Sequence, residues 1–172
     1  MRFSERNGIY LLEIPHSDLG PFYVYCMADP QRNGSAWTVF MNRYDGSVDF
    51  SRDWHGYKEG FGNLEGEFWL GLKYINALTT VTRHPQELWI EMEDWECEMG
   101  YAKYSSFALS DESNGFTINL LGGYRGNVGD SLSFHQGLKF ATKDNDVKSS
   151  EVSCAATYKG GWWYNPESCH KR

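Results

Sequence analysis

The sequence predicts a single α+β domain, on three observations. Its 172 residues suit one compact unit with a core of its own. Short strand-like runs of β-branched and aromatic residues recur, bounded by Gly, Pro, Asn or Asp. One amphipathic helical stretch stands apart from them, and antiparallel strands with segregated helices define the α+β class.

The strand candidates are residues 22–26, 37–41, 88–92 and 116–120. Asp45 and Gly46 follow the second of these as a hairpin-type signal, because glycine accepts the positive φ of a tight turn, and they are expected to reverse that strand. The best helix candidate is 66–78, where Phe68, Trp69, Leu72 and Ile75 recur at helical spacing and would cover one face of a sheet. A short helical turn is expected at 101–104, and residues 112–115 read as a loop. No internal repeat or low-complexity linker divides the chain.

Composition narrows the function. Aromatic residues make up 16% of the chain, seven of them Trp, which favours an aromatic-packed interior. The net charge is -7, with both signs mixed and no basic run, so nucleic acid and anionic lipid are not expected partners. No apolar stretch approaches the roughly 20 residues that cross a bilayer, so membrane insertion is not expected. The first six residues carry charge with no apolar segment behind them and do not read as a signal peptide.

The most informative stretch is 45–72, DGSVDFSRDWHGYKEGFGNLEGEFWLGL, where aromatic residues and glycines alternate in an order that amphipathicity alone does not produce. With PFYVYC (21–26), WTVFMNRYDGS (37–47), LWIEMEDW (88–95), GDSLSFHQGLKFATKDND (129–146) and KGGWWYNPESCH (159–170), it resembles the fibrinogen C-terminal domain family. That family includes ficolins, tachylectins, angiopoietins, tenascins and the fibrinogen chains. The resemblance covers nearly the whole chain and implies one domain over 1–172. Within it, 1–36 is expected to form an N-terminal subdomain, 37–120 a twisted, mainly antiparallel central sheet, and 121–172 part of a loop-rich ligand-binding subdomain. Chains of the family run on beyond the Cys-His pair, so the chain is expected to be a fragment lacking that further stretch.

Four cysteines allow three pairings, and spacing does not choose among them. The resemblance implies a bridge between Cys154 and Cys169; closing about 15 residues contributes ~3 kcal/mol in the loop-entropy account. For Cys26 and Cys97 a mutual bridge, two free thiols and links to other chains stay open. The peptide before the second bridge cysteine is often cis in the family, which puts Ser168–Cys169 in question. Asn33, in the sequon Asn33-Gly34-Ser35, is a glycosylation acceptor if the chain is secreted.

The resemblance also implies a binding site. Tyr158 and His170 match a tyrosine and a histidine that, in family lectins, help form a pocket for acetyl groups. An acetamide needs an apolar slot for its methyl and a hydrogen-bonding partner for its amide, and aromatic walls with a His supply both. Asp144-Asn145-Asp146 is similar to the family's calcium loop, and calcium takes six to eight oxygen ligands from a flexible segment. One alignment puts Asp146 first and Lys148 on the second carboxylate; another keeps Asp144 and Asp146 as the pair. Trp162 and Trp163 read as core and floor, and His55, His84 and His135 as local hydrogen bonders without metal spacing.

Gly129-Asp130-Ser131-Leu132 spells a hydrolase motif, with Glu167 and His170 downstream, but the same tetrapeptide matches a turn of the fibrinogen-related family. A nucleophile also needs a base and an oxyanion hole converging on it, so the chain is not read as an enzyme. The resemblance implies an extracellular lectin that binds acetylated glycans in innate-immune pattern recognition. The alternative is a protein-binding module of a secreted signalling or matrix protein, docking on a receptor. Oligomers are expected to form through regions outside this chain.

Overall fold

A computed structural model describes residues 6–29, 35–81, 84–146 and 153–169. Asn33, Lys148 and His170 lie outside them. Among the described residues the strands form three antiparallel sheets rather than one. β1 (Gly8–Leu12), β2 (Phe22–Ala28) and β3 (Ala36–Val39) run in the order β1-β2-β3. β4 (Met41–Asn42), β5 (Phe61–Gly62) and β6 (Phe68–Trp69) form a short sheet with β6 central. β7 (Gln86–Glu93), β8 (Met99–Leu109) and β9 (Ile118–Gly126) form the largest, in the order β7-β8-β9.

The expected 37–41 strand breaks at Phe40, which packs edge-on against Trp69 at 5.8 Å and stacks on Phe107 at 6.2 Å. One aromatic side chain thus joins the β4-β6-β5 sheet to the large one. The main core is aromatic, built on Tyr57, Trp69, Tyr104, Phe107, Phe116, Phe140 and Trp163. A second cluster seals Val24, Cys26 and Phe22 of β2 against Phe68, Leu70 and Ala77.

Further sequence expectations are corrected. The helix over 66–78 is instead β6 followed by α2 (Leu72–Thr80), which runs through Thr79. Phe68 and Trp69 pair with β4 on one side and β5 on the other, and Gly71, at φ 117, separates the strand from the helix. Sheet pairing overrides helical spacing there, while Leu72 and Ile75 remain fully buried as the period required. The short turn at 101–104 is strand, inside β8. Tyr101 is exposed, Ala102 buried, Lys103 half-buried and Tyr104 buried, the period of two of a half-buried strand.

The Asp45–Gly46 turn does not fold the preceding strand back on itself, because β4 finds its partner in β6. Its N–H groups turn instead toward a buried acid. Glu67 is 2% exposed, and its Oε1 accepts from the N–H groups of Tyr44 (2.7 Å), Asp45 (3.0 Å) and Gly46 (3.0 Å). Its Oε2 accepts from the Val48 N–H at 3.0 Å. Residues 112–115 form a 3-10 turn, Glu112–Asn114, capped by the Asp111 side chain and ended by Gly115 in the left-handed region at φ 71. The strand expected from 116 starts at Ile118, since Phe116 itself is buried at φ 46.

Candidate functional site

The C-terminal segment is tied to the core at several points before it reaches the surface. The Trp163 indole N–H donates to the Phe116 carbonyl at 2.7 Å, and His135 Nδ1 donates to the Trp163 carbonyl at 2.7 Å. Ala141 and Trp162 exchange both backbone bonds, at 2.9 and 3.1 Å. Trp163 is buried, whereas Trp162 is half-buried. Between these anchors, α3 (Cys154–Thr157) is capped by Ser153, whose hydroxyl accepts the Ala156 N–H at 3.1 Å. Cys154 is bridged to Cys169 with their Cα atoms 5.6 Å apart. Asn165 and Cys169 exchange backbone bonds at 3.0 and 2.7 Å, and the Ser168–Cys169 peptide is trans with Cys169 at φ 60.

Residues 158–164 wrap one side of a cavity of about 380 Å³. Tyr158 ends α3 with its ring 51% exposed and stacked on Tyr164 at 6.1 Å. The Tyr164 hydroxyl donates to the Gly160 carbonyl at 2.9 Å, and burial pushes its pKa up to about 12, so it stays a donor at any physiological pH. Gly161 has no room for a side chain: a Cβ there would lie 2.7 Å from both the Phe140 and the Tyr57 rings.

The opposite wall comes from the loop after β4. Arg43 lies with its guanidinium carbon 4.4 Å above the Phe50 ring, and both line the cavity. Tyr57 of α1 (Trp54–Glu59) donates to the Phe50 carbonyl at 2.7 Å and packs in a T-shaped pair with Trp69 at 5.5 Å, which fixes the floor. Among the described residues, Arg43 and Lys159 are the charged ones in the lining, and no described carboxylate joins them there. Asp49 and Asp146 act electrostatically on Tyr57 and Tyr164 from outside it. The cavity therefore has aromatic walls and a cationic rim, within the roughly 300–1,000 Å³ range of small-ligand pockets.

Tyr158 is thus the sequence-identified site residue that reaches this cavity. Arg43 and Lys159 were not identified from sequence; Lys159 adjoins Tyr158, but nothing in linear spacing brings Arg43 to it.

The Asp144–Asp146 segment does structural work. Asp144 Oδ1 accepts the Trp54 N–H at 2.9 Å and the Thr142 hydroxyl at 2.7 Å. Burial pushes the Asp144 carboxyl up, but these donors outweigh it and hold it below the usual carboxylate range. Lys143 Nζ donates to the Ser51 carbonyl at 2.8 Å, so the segment is laced to the start of α1 from both residues. Among the described residues no three His, Cys, Asp or Glu side chains gather as a metal would need. Calcium takes six to eight oxygens, and residues 147–152, which follow Asp146 in the chain, lie outside the described set.

The Gly129–Leu132 motif is a turn. Asp130 Oδ1 accepts the Tyr104 hydroxyl at 2.8 Å, the Ser133 N–H at 3.0 Å and the Leu132 N–H at 3.2 Å. Burial and this bond to Asp130 drive the Tyr104 hydroxyl pKa well above its ordinary value. Of the two remaining cysteines, Cys26 is a buried free thiol in β2 and Cys97 an exposed free thiol at the tip of the β7–β8 hairpin, with no bridge between them.

Comparison with known proteins bears on the whole chain. Residues 2–172 match the family described as fibrinogen beta and gamma chains, C-terminal globular domain. Fibrinogen C domain-containing protein 1 of Macaca fascicularis is 46% identical over 169 residues, covering 95% of this chain and 37% of that protein. Angiopoietin-related protein 1 of Homo sapiens is 45% identical over 159 residues, covering 92% of this chain and 31% of that protein. The chain thus spans between 31% and 37% of the length of these relatives.

Among solved structures, the fibrinogen-like globe domain of human ANGPTL2 superposes with a TM-score of 0.86 at 41% identity, over 96% of this chain and 73% of that one. Lamprey fibrin D-dimer, complexed with the peptide Gly-His-Arg-Pro-amide, gives 0.85 at 36% identity, over 95% and 54%.

Proposed function

Because the chain belongs to the fibrinogen C-terminal domain family, whose angiopoietin-like members are non-enzymatic binding modules, we propose that it is a secreted recognition domain that binds a protein partner. The observation that carries this reading is the cavity between Arg43 and Lys159, aromatic on its walls and cationic at its rim. Such a cavity favours an anionic segment with an apolar anchor, since desolvated aromatic contact gives affinity and the two cations give register. The kinship with angiopoietin-related proteins, and the peptide held by the lamprey relative, support a protein or peptide ligand over a small metabolite.

Acetylated glycans are the second reading. It is supported by the exposed Tyr158 ring beside the Cys154–Cys169 bridge, with His170 as its proposed partner outside the described residues. Calcium at Asp144 and Asp146 is a separate proposal, supported by the similarity of Asp144-Asn145-Asp146 to the family's calcium loop.

Surface plasmon resonance of the oxidised chain against extracellular receptor domains, with Lys159→Glu and Tyr158→Ala as controls, tests the first reading. Saturable protein binding lost in Lys159→Glu is the expected result. Retention on N-acetylated resin, eluted by N-acetylglucosamine and lost in Tyr158→Ala, would transfer the conclusion to glycans.

A further inference from the structure

The tip of the β7–β8 hairpin carries the most exposed aromatic residue described. Trp95 is 99% exposed, an unusual position for the largest apolar side chain, and Met92 and Met99 flank it at 44% and 54%. The tip is built rather than loose. Asp94 Oδ1 accepts the N–H groups of Glu96 at 2.9 Å and Glu98 at 3.0 Å, and the Cys97 N–H closes the turn on the Asp94 carbonyl at 3.1 Å. The hairpin arms and tip carry Glu91, Glu93, Asp94, Glu96 and Glu98, with no Lys or Arg between residues 86 and 99.

The cavity described above has the opposite character. Arg43 and Lys159 rim it, neither is paired with a carboxylate among the described residues, and its walls are aromatic. An exposed indole on an acidic hairpin and an aromatic cavity with a cationic rim are complementary in charge and in aromatic character. A symmetric tip-to-tip pairing is disfavoured, because it would bring five carboxylates against their own copies.

We propose that the hairpin tip of one chain, with Trp95 as the anchor, docks into the Arg43–Lys159 cavity of a second copy. This rests on the reading of that cavity as a recognition site and names its occupant. The contact is head-to-tail: each copy offers one tip and one cavity, so association propagates beyond a dimer unless the rotation closes a ring.

Sedimentation velocity of the purified chain over a wide concentration range tests this. The wild type is expected to sediment faster as concentration rises, and added salt is expected to weaken the association. Trp95→Ala, a change at a fully exposed side chain, and the double charge reversal Arg43→Glu, Lys159→Glu are each expected to weaken it roughly tenfold or more. Circular dichroism checks that both variants fold. Mixed in equal amounts, the two are expected to form a dimer that grows no further, since one supplies only a cavity and the other only a tip. A wild type that stays monomeric, or association that survives both sets of substitutions, overturns the proposal.

A peptide spanning residues 91–99 with Cys97 replaced by Ser separates this failure from that of the recognition reading. If the peptide binds a chain that remains monomeric, the cavity is a recognition site and self-docking is overturned. If neither association nor peptide binding occurs, both are overturned.

Discussion

The Glu67 carboxylate accepts the Val48 backbone N–H through Oε2 at 3.0 Å, while its other oxygen gathers the N–H groups of residues 44–46. The Val48 bond, followed by that of Gly46 and then those of Tyr44 and Asp45, outweighs the cost of burial and holds the pKa down to about 2. This acid organises the loop that carries Arg43 and Phe50 to the cavity.

A carboxylate with a folded pKa of about 2, against an ordinary 4.5, stabilises the fold fully above the ordinary value and loses that contribution as pH falls toward 2. Glu67→Gln keeps the shape but donates where the site needs an acceptor. It is expected to lower Tm by several degrees at neutral pH, and the difference from wild type is expected to shrink between pH 4.5 and 2. Thermal melts across that range check both the size and the sign.

Gly161 presses against two aromatic rings, so Gly161→Ala is an overpacking change rather than a gain in chain stiffness. With a Cβ 2.7 Å from the Phe140 and Tyr57 rings, it is expected to cost ~1–3 kcal/mol. Denaturant unfolding measures this, and a neutral result would mean that the 158–164 segment can shift without cost.

Asp144→Ala removes the acceptor of the Trp54 N–H at the start of α1 and of the Thr142 hydroxyl. The expected loss in chelator is ~1–2 kcal/mol, because both bonds are internal to the protein, and the proposed calcium site would add to it in calcium-containing buffer. A loss confined to calcium-containing buffer would instead assign Asp144 to an ion.

The two free thiols differ in reach. Burial pushes the Cys26 thiol pKa up, although a hydrogen bond with Thr38 draws it back in part, while Cys97 is exposed at the hairpin tip. A maleimide is therefore expected to label Cys97 alone in the native chain and Cys26 as well only after unfolding, with the Cys154–Cys169 bridge intact. Mass spectrometry of the digested adduct distinguishes the sites.

Much of the fold was legible in the sequence because its periods are local. Alternation in β2 and the buried Leu72 and Ile75 of α2 follow from which side chains fall on one face, while the aromatic-glycine order of 45–72 was legible as a family resemblance. The Tyr158 side chain, adjacent to the KGGWWY run, was legible only through the family resemblance.

Tertiary contact decided the rest. Whether Phe68 and Trp69 continued the helix or joined a sheet depended on β4 and β5, which lie elsewhere in the chain. Glu67 looked like one more charge, and its one signal was its place directly before the apolar run Phe68-Trp69-Leu70. Its burial became possible only when a turn far upstream offered four N–H groups at once. Arg43 and Lys159, distant in sequence, share a cavity because Gly161 lets the C-terminal segment close onto Tyr57. The sequence by itself determined which faces were apolar, since that depends on neighbours three or four residues away. Only the folded chain decided which polar groups met, since each such bond needs two partners that the backbone must first bring together.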